Sequence, residues 1–142
     1  MIHRYIEGDI ISRKILVVDD EEYVRKGLVW MIEWMGFEVL ATDCGKKAVK
    51  LFEENIFDVV FTDYNMPGMN GSDLARCIKE ISPKTPIILI TGDPEELSKN
   101  RPGGDSIDMV VPKPCKLKQI EESIGRMLRE KSNVDLGLGR SE

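Results

Sequence analysis

The chain has 142 residues, 42% hydrophobic and 32% charged, with a formal net charge of −5, which is typical of a single globular domain. An acidic chain without a basic patch is a poor match for nucleic acid, and no stretch reaches the ~20 apolar residues that a membrane span needs. The N-terminus carries acids where a signal peptide has an apolar block, so we expect a cytoplasmic protein whose partners are neither nucleic acid nor membrane.

Five short apolar runs, several of them rich in β-branched residues, predict five buried strands. In chain order the predicted strands are residues 15–18, 37–41, 57–63, 87–90 and 107–111. Between them, apolar residues at spacings of three and four predict amphipathic helices. The predicted helices are a segment from 24 to 35, residues 45–55, residues 72–81, a segment that starts after Asp93, and residues 116–129.

Turn and cap residues mark where two of these helices begin. Asn70 or Ser72 is suited to cap the third helix. Asp93-Pro94-Glu95-Glu96 combines a cap residue, a proline at the first helical position and an acid three residues after the cap, which predicts a helix start. Pro102-Gly103-Gly104 must end or break that fourth helix soon after it begins.

These elements predict a domain over residues 14–130, between an N-terminal extension, residues 1–13, and a flexible C-terminal tail, residues 131–142. Strands that alternate with helices predict an α/β fold with a parallel sheet covered on both faces. Right-handed crossovers make a flavodoxin-like, doubly wound (βα)5 sheet of strand order 2-1-3-4-5 the simplest arrangement.

Histidine and cysteine chemistry contribute little to the site. His3 is the only histidine and lies in the predicted extension, which nearly excludes a Ser-His-Asp triad or a histidine-based metal site. Cys44, Cys77 and Cys115 are far apart and form no C-x-x-C pair, so neither a disulfide framework nor a zinc site is indicated.

Polar residues stand where four of the predicted strands end. Asp19 and Asp20 follow the first strand, Asp63 ends the third, Thr91 follows the fourth and Lys113 follows the fifth. The carboxyl ends of such strands share one crevice, where three carboxylates need a cation between them, and Mg²⁺ suits their oxygen ligands. The sequence therefore predicts that Asp63 attacks a phosphoryl group whose oxygens are bound by Mg²⁺, Lys113 and Thr91.

The same motifs resemble the receiver domain of two-component response regulators. The resemblance covers about residues 14–130 and rests on Asp19-Asp20-Glu21, Asp63, Met66-Pro67-Gly68-Met69-Asn70-Gly71, Thr91-Gly92 and Lys113-Pro114. It implies that Asp63 accepts a phosphoryl group from a sensor histidine kinase or a histidine phosphotransfer protein. It also implies signalling through a downstream protein, with no enzymatic activity beyond Mg²⁺-dependent phosphorylation and dephosphorylation of the chain itself.

The resemblance implies a set of metal ligands. Asp20 and Asp63 would bind Mg²⁺ directly, the backbone carbonyl of Asn65 would be a third ligand, and Asp19 would bind through a water. Asn65 and Asp93 also flank the site, at positions where the family tunes the lifetime of the phosphoryl group.

The resemblance also implies a switch. Thr91 would be the hydroxyl that moves toward the phosphoryl group, and Lys113, joined to Pro114 by a cis bond, would pair with it. Two departures stand out. Val110 replaces the Tyr or Phe that often reports phosphorylation in the family, and Pro102-Gly103-Gly104 replaces the usual end of the fourth helix, which puts the output face in doubt.

Three alternatives remain open. A Mg²⁺-dependent phosphohydrolase of the haloacid-dehalogenase kind also uses an aspartyl phosphate, but it wants D-x-D where Asp19-Asp20-Glu21 gives D-x-E. A flavodoxin-like cofactor binder would need a hydroxyl-rich phosphate loop after the first strand, and this chain has Asp19-Asp20-Glu21 there instead. The third alternative is a receiver-like domain that is not phosphorylated and serves only as a scaffold.

Overall fold

Five runs of mainly aliphatic residues form a parallel sheet, and two of them, β3 and β4, are buried along their whole length. The strands are β1 (Lys14–Val18), β2 (Glu38–Thr42), β3 (Val59–Asp63), β4 (Ile87–Thr91) and β5 (Met109–Pro112). They pair in the order β2-β1-β3-β4-β5, with every neighbouring pair parallel. The predicted flavodoxin-like topology is therefore confirmed.

The structure, a computed structural model, describes residues 13–135, and for residues 132–135 it describes the backbone only. Predictions for residues 1–12, including the place of His3, and for residues 136–142 lie outside the described residues.

Helices cover both faces of the sheet. They are α1 (Glu22–Trp34), α2 (Gly45–Glu54), α3 (Gly71–Ile81), α4 (Pro94–Leu97) and α5 (Leu117–Asp135). Alternate residues of each strand point to opposite faces of the sheet and pack in two separate cores. On one face, Phe61 packs in a cluster with Leu28 of α1 and Ile124 of α5. Val60 packs on the other side in a cluster with Leu74 of α3. Burial on both faces explains why β3 reads as an unbroken apolar run.

Helix α3 begins with a capping box, and Asn70 rather than Ser72 is the cap. Asn70 Oδ1 accepts the Asp73 backbone N–H at 2.9 Å, and Asp73 Oδ2 accepts the Asn70 N–H at 3.2 Å. This reciprocal pair fixes the start of α3 next to the end of β3, and so it also fixes the loop between them.

Asn70→Ala is expected to lower the free energy of unfolding by about 1 kcal/mol, because one of the two bonds of the capping box is lost. Urea denaturation measures the change. Ser72→Ala is the matched control, since the Ser72 hydroxyl only receives an exposed bond from Arg76. Equal losses in the two variants would contradict the assignment of the cap.

The segment after β4 differs from the prediction. Asp93 caps α4 by accepting the Glu95 N–H at 3.0 Å, but the helix ends at Leu97. Glu96 does not complete a capping box. It is 4% exposed and accepts the Gly103 N–H at 2.6 Å and a bond from Lys99 at 2.8 Å. The loop after α4 folds back over the core, and its buried N–H needs this acceptor.

The start of β5 was predicted too early. The ladder begins at Met109 rather than at residue 107. It ends at Pro112 of the edge strand β5, which pairs with Thr91 of β4. Asp108 lies just before the ladder, and its carboxylate accepts the Ile87 backbone N–H at 2.8 Å. A side chain thus replaces a strand partner at this point.

Helix α5 is longer than predicted. It continues past Arg129 to Asp135, so the first residues of the predicted tail, 131–142, are helical. No glycine or proline lies between Arg129 and Gly137, which is consistent with the longer helix. None of the described helices has the length and apolar character needed to cross a bilayer.

Candidate functional site

Three carboxylates meet where β1 and β3 end. The two strands are neighbours, with Val18 level with Thr62, so Asp19 and Asp63 come out side by side. Carboxylate oxygens of Asp19, Asp20 and Asp63 all lie within 4.8 Å of one another. Asp19 is fully buried and Asp63 is 3% exposed, whereas Asp20 is open to solvent. The predicted convergence of these acids is present in the structure.

Lys113 reaches the acids from the end of β5, on the other side of β4. Its Nζ lies 3.1 Å from Asp19 Oδ2 and 3.2 Å from Asp63 Oδ1. A third carboxylate, Glu21 Oε1, lies 2.9 Å from the same nitrogen. The sequence predicts the position of Lys113 but not the contact with Glu21. The direction in which an exposed side chain at a helix start extends cannot be inferred from residue spacing.

The acids and the lysine shift one another's pKa values. Burial and then the Asp19 charge raise the pKa of Asp63 to about 6, against the opposing effect of Lys113. Burial also raises the pKa of Asp19, although the Glu21 N–H and Lys113 oppose it. Burial works against the charge of Lys113, but the hydrogen bond that Lys113 donates to Glu21 and the charges of Asp19 and Asp63 outweigh it and raise the lysine pKa. The site therefore holds more negative charge than one lysine neutralises.

The donor set fits a hard divalent cation. Asp19 Oδ2 is buried and has no hydrogen-bond partner among the described residues, since its contact with Lys113 is an ion pair without hydrogen-bond geometry. Asp20, Asp63 and Asn65 line one open cleft beside it. Carboxylate and carbonyl oxygens with room for waters are the ligands that Mg²⁺ takes.

The rim of the cleft carries the residues predicted to tune or switch the site. Asn65 Nδ2 donates to Asp93 Oδ2 at 3.3 Å, and both residues line the cleft with Lys113. Thr91 is fully buried at the end of β4, and its Oγ1 accepts the Asp93 N–H at 3.1 Å. Thr91 does not itself line the cleft, so it contacts the rim through the backbone of Asp93.

Two further expectations concern β5. Val110 is half-buried and packs against the core cluster that contains Leu89, away from the cleft. The Lys113–Pro114 bond is cis, as expected. Because Val110 is aliphatic, β5 has no aromatic side chain that could report phosphorylation.

Two sensor kinases are among the proteins with similar sequences. A stretch of 86 residues is 41% identical to the autoinducer 1 sensor kinase/phosphatase LuxN of Vibrio campbellii and covers 60% of this chain and 10% of that protein. Over 121 residues the chain is 31% identical to the sensor kinase CckA of Brucella abortus, covering 84% of this chain and 13% of that protein. The chain thus spans about a tenth of the length of these relatives.

Solved structures agree with these sequence matches. A response regulator receiver domain protein from Clostridium thermocellum superposes with a TM-score of 0.79 at 29% identity, covering 86% of this chain and 98% of that one. The response regulator TrrA of Thermotoga maritima, solved with Mg²⁺ and BeF, has a TM-score of 0.74 at 29% identity and covers 81% and 98%. The response regulator receiver domain family matches residues 15–125, and the chain belongs to that family.

Proposed function

We propose that Asp63 is the phosphoacceptor of this receiver domain and that the donor is a phosphohistidine on a sensor histidine kinase or a histidine phosphotransfer protein. One observation carries the proposal. The buried Asp63 carboxylate lies 3.2 Å from the ammonium of Lys113 and within 4.8 Å of carboxylate oxygens of Asp19 and Asp20. This arrangement matches a carboxylate that attacks phosphorus beside a metal ion.

Each residue has a part in the transfer. An Asp63 oxygen bonds to phosphorus while the bond from phosphorus to the donor nitrogen breaks, and the imidazole leaves with a proton from solvent. Mg²⁺ would be held by Asp20, Asp63 and the Asn65 carbonyl, with Asp19 acting through a water, and when bound it would neutralise charge on the phosphoryl oxygens. Lys113 binds another of those oxygens as a point charge.

Thr91 is suited to sense the product. Its oxygen accepts the Asp93 N–H, so the hydroxyl proton stays available for a phosphoryl oxygen. A move of Thr91 toward that oxygen releases the Asp93 N–H and perturbs the loop that leads into α4. Because Val110 replaces the aromatic residue that often reports phosphorylation, we propose that this loop carries the conformational change that a downstream protein recognises.

The test is phosphorylation by acetyl phosphate, followed by mass spectrometry. Wild type with Mg²⁺ is expected to gain one phosphoryl group, and Asp63→Asn or EDTA is expected to abolish the gain. Asp43→Asn is the matched control, because Asp43 is an exposed acid that pairs with Lys47 away from the cleft. Equal gain in Asp63→Asn, no gain in wild type, or multiple turnover of a small phosphate ester would each overturn the proposal.

Glu21→Gln is expected to tighten binding of Mg²⁺-beryllofluoride, a phosphoryl mimic, by about two- to fivefold. Lys113 has three N–H groups, and three carboxylates, including Glu21, already lie within 3.2 Å of it. The contact with the exposed Glu21 is a hydrogen bond, whereas the contact with Asp19 is not, so Glu21 is the carboxylate that competes with a phosphoryl oxygen for an N–H of Lys113. Removing its charge removes that competition.

Calorimetric titration measures the affinity. Glu22→Gln is the matched control, since it removes the same charge one residue away, where the carboxylate pairs with Lys26 instead. A smaller gain in Glu21→Gln than in Glu22→Gln would show that Glu21 does not compete for Lys113.

A further inference from the structure

Helix α1 leaves its outer face without a partner among the described residues. Its inner face buries Leu28 and Ile32, while Tyr23, Trp30 and Trp34 on the outer face are 89%, 65% and 46% exposed. These are three of the five exposed large hydrophobic side chains in residues 13–135, and they include both tryptophans of the chain. Aromatic side chains gathered on one helix face mark an interaction surface.

The exposed face has the spacing of a helix-packing seam. Tyr23, Gly27, Trp30 and Trp34 follow one another at intervals of four, three and four, which keeps them in one stripe. Apart from its chain neighbours and the backbone of its own helix, no atom in the described part of the chain lies within 4 Å of the place where a Cβ on Gly27 would be. Glycine in a helix interior costs about 1 kcal/mol relative to alanine, and no contact within the fold requires it here. The stripe therefore has a recess at its centre, flanked by large rings.

We propose that this stripe, Tyr23, Gly27, Trp30 and Trp34, pairs with the same stripe of a second copy of the chain, antiparallel and about a two-fold axis. Such an axis passes midway between Gly27 and Trp30. It places the indole of Trp30 over the Gly27 recess of the other copy and sets Trp34 against Tyr23. Each large ring thus meets a smaller or complementary residue, as an isologous interface requires.

Charges beside the stripe complement one another in this arrangement. Lys26 and Glu33 lie on the same side of the stripe and both are exposed, and the surface ion pair of Lys26 with Glu22 in its own helix leaves N–H groups of Lys26 for a second carboxylate. The two-fold axis brings Lys26 of one copy within about 3 Å, measured along the helix axis, of Glu33 of the other, because each residue adds 1.5 Å of rise. Two opposite-charge pairs then flank the aromatic contacts and favour the antiparallel orientation over the parallel one.

The area suits a weak dimer. An aromatic side chain offers about 150–250 Å² for burial, so the exposed parts of the three rings supply roughly 600–1,000 Å² over both copies. With flanking side chains, the total reaches the lower end of specific interfaces, near ~1,200 Å². We expect a reversible dimer with a dissociation constant on the order of 10–100 μM.

Sedimentation equilibrium of the full, unphosphorylated chain from ~5 to ~500 μM tests the pairing, independently of the proposed phosphoacceptor function. Wild type is expected to shift from monomer to dimer across this range. Gly27→Gln is the decisive variant, because it fills the recess where no neighbour is disturbed and raises helix propensity. It is expected to weaken the dimer at least tenfold without any loss in the free energy of unfolding.

Charge exchange tests the orientation. Lys26→Glu alone is expected to weaken the dimer several-fold, and the double variant Lys26→Glu, Glu33→Lys is expected to restore it. Ile56→Ser, which removes an exposed hydrophobic side chain elsewhere, is the control and should leave the dimer unchanged. A monomer at every concentration, a dimer that tolerates Gly27→Gln, or a double variant no better than Lys26→Glu would overturn the proposal.

Discussion

Asp63→Asn is expected to raise the free energy of unfolding of the metal-free protein at pH 7.5 by about 1–3 kcal/mol, although it removes the proposed phosphoacceptor. The reason is that the folded chain holds this carboxylate, 3% exposed, beside Asp19. Both its burial and its neighbour raise the pKa of Asp63 to about 6, from 3.8 in an open environment, even with Lys113 in contact. The ionised side chain is therefore less stable in the folded state than in the unfolded state.

The pH dependence follows from the direction of this shift. Well below pH 3.8 both states carry the proton on Asp63, and the substitution gains nothing. Between the unfolded pKa of 3.8 and the folded pKa of about 6, the folded state binds more protons, so the stability of wild type falls as pH rises. Above this window the loss is complete, and the advantage of Asp63→Asn reaches its plateau.

Urea denaturation in EDTA at several pH values measures the effect. Asp43→Asn is the control, because the bond from Lys47 lowers the pKa of Asp43 and its removal should bring no gain. An advantage of Asp63→Asn that stays constant from pH 4 to pH 8 would contradict the linkage. Mg²⁺ at saturating concentration should stabilise wild type more than the variant, since the proposed metal loses a ligand in Asp63→Asn.

The site was predictable because it depends on regular elements. Alternating apolar runs and helix-like segments specify a parallel sheet, and chemistry in such a sheet gathers at the carboxyl ends of neighbouring strands. Asp63 ends a strand, and Asp19 and Lys113 each directly follow one, so an error of one or two residues in a strand boundary does not move them to another edge. The strand order then brings the three side chains together.

The segment from α4 to β5 was harder to predict because its partners are distant in sequence or lie off the regular pattern. Glu96 has the position of a capping acid, but its carboxylate accepts the buried N–H of Gly103 instead of an N–H at the helix start. Asp108 replaces a strand partner for Ile87. Each outcome depends on which buried N–H lacks an acceptor after the chain has folded, and no local spacing reveals that.

Gly71→Ala is expected to lower the free energy of unfolding by about 2–4 kcal/mol and to weaken Mg²⁺ binding. Gly71 is the first residue of α3, and the loop from β3 returns so closely that a Cβ would lie 2.3 Å from the carbonyl oxygen of Asp63 and 3.0 Å from Tyr64 Cα. The Gly71 N–H also donates to the Tyr64 carbonyl at 2.9 Å. The obstacle is backbone on every side, so no side-chain rotation relieves the clash.

The same substitution at Gly27 has the opposite expected sign, which makes it the matched control. Gly27 lies in the middle of α1, and no described atom outside its own helix backbone and chain neighbours is near its Cβ position, so Gly27→Ala should raise stability by up to ~1 kcal/mol through helix propensity alone. If Gly71→Ala proved as stable as Gly27→Ala, the loop after β3 could not be holding the Asp63 backbone in place. A large loss at Gly71 together with weaker Mg²⁺ binding would mean that α3 positions the proposed phosphoacceptor through backbone contact, since no side chain of α3 need touch the metal.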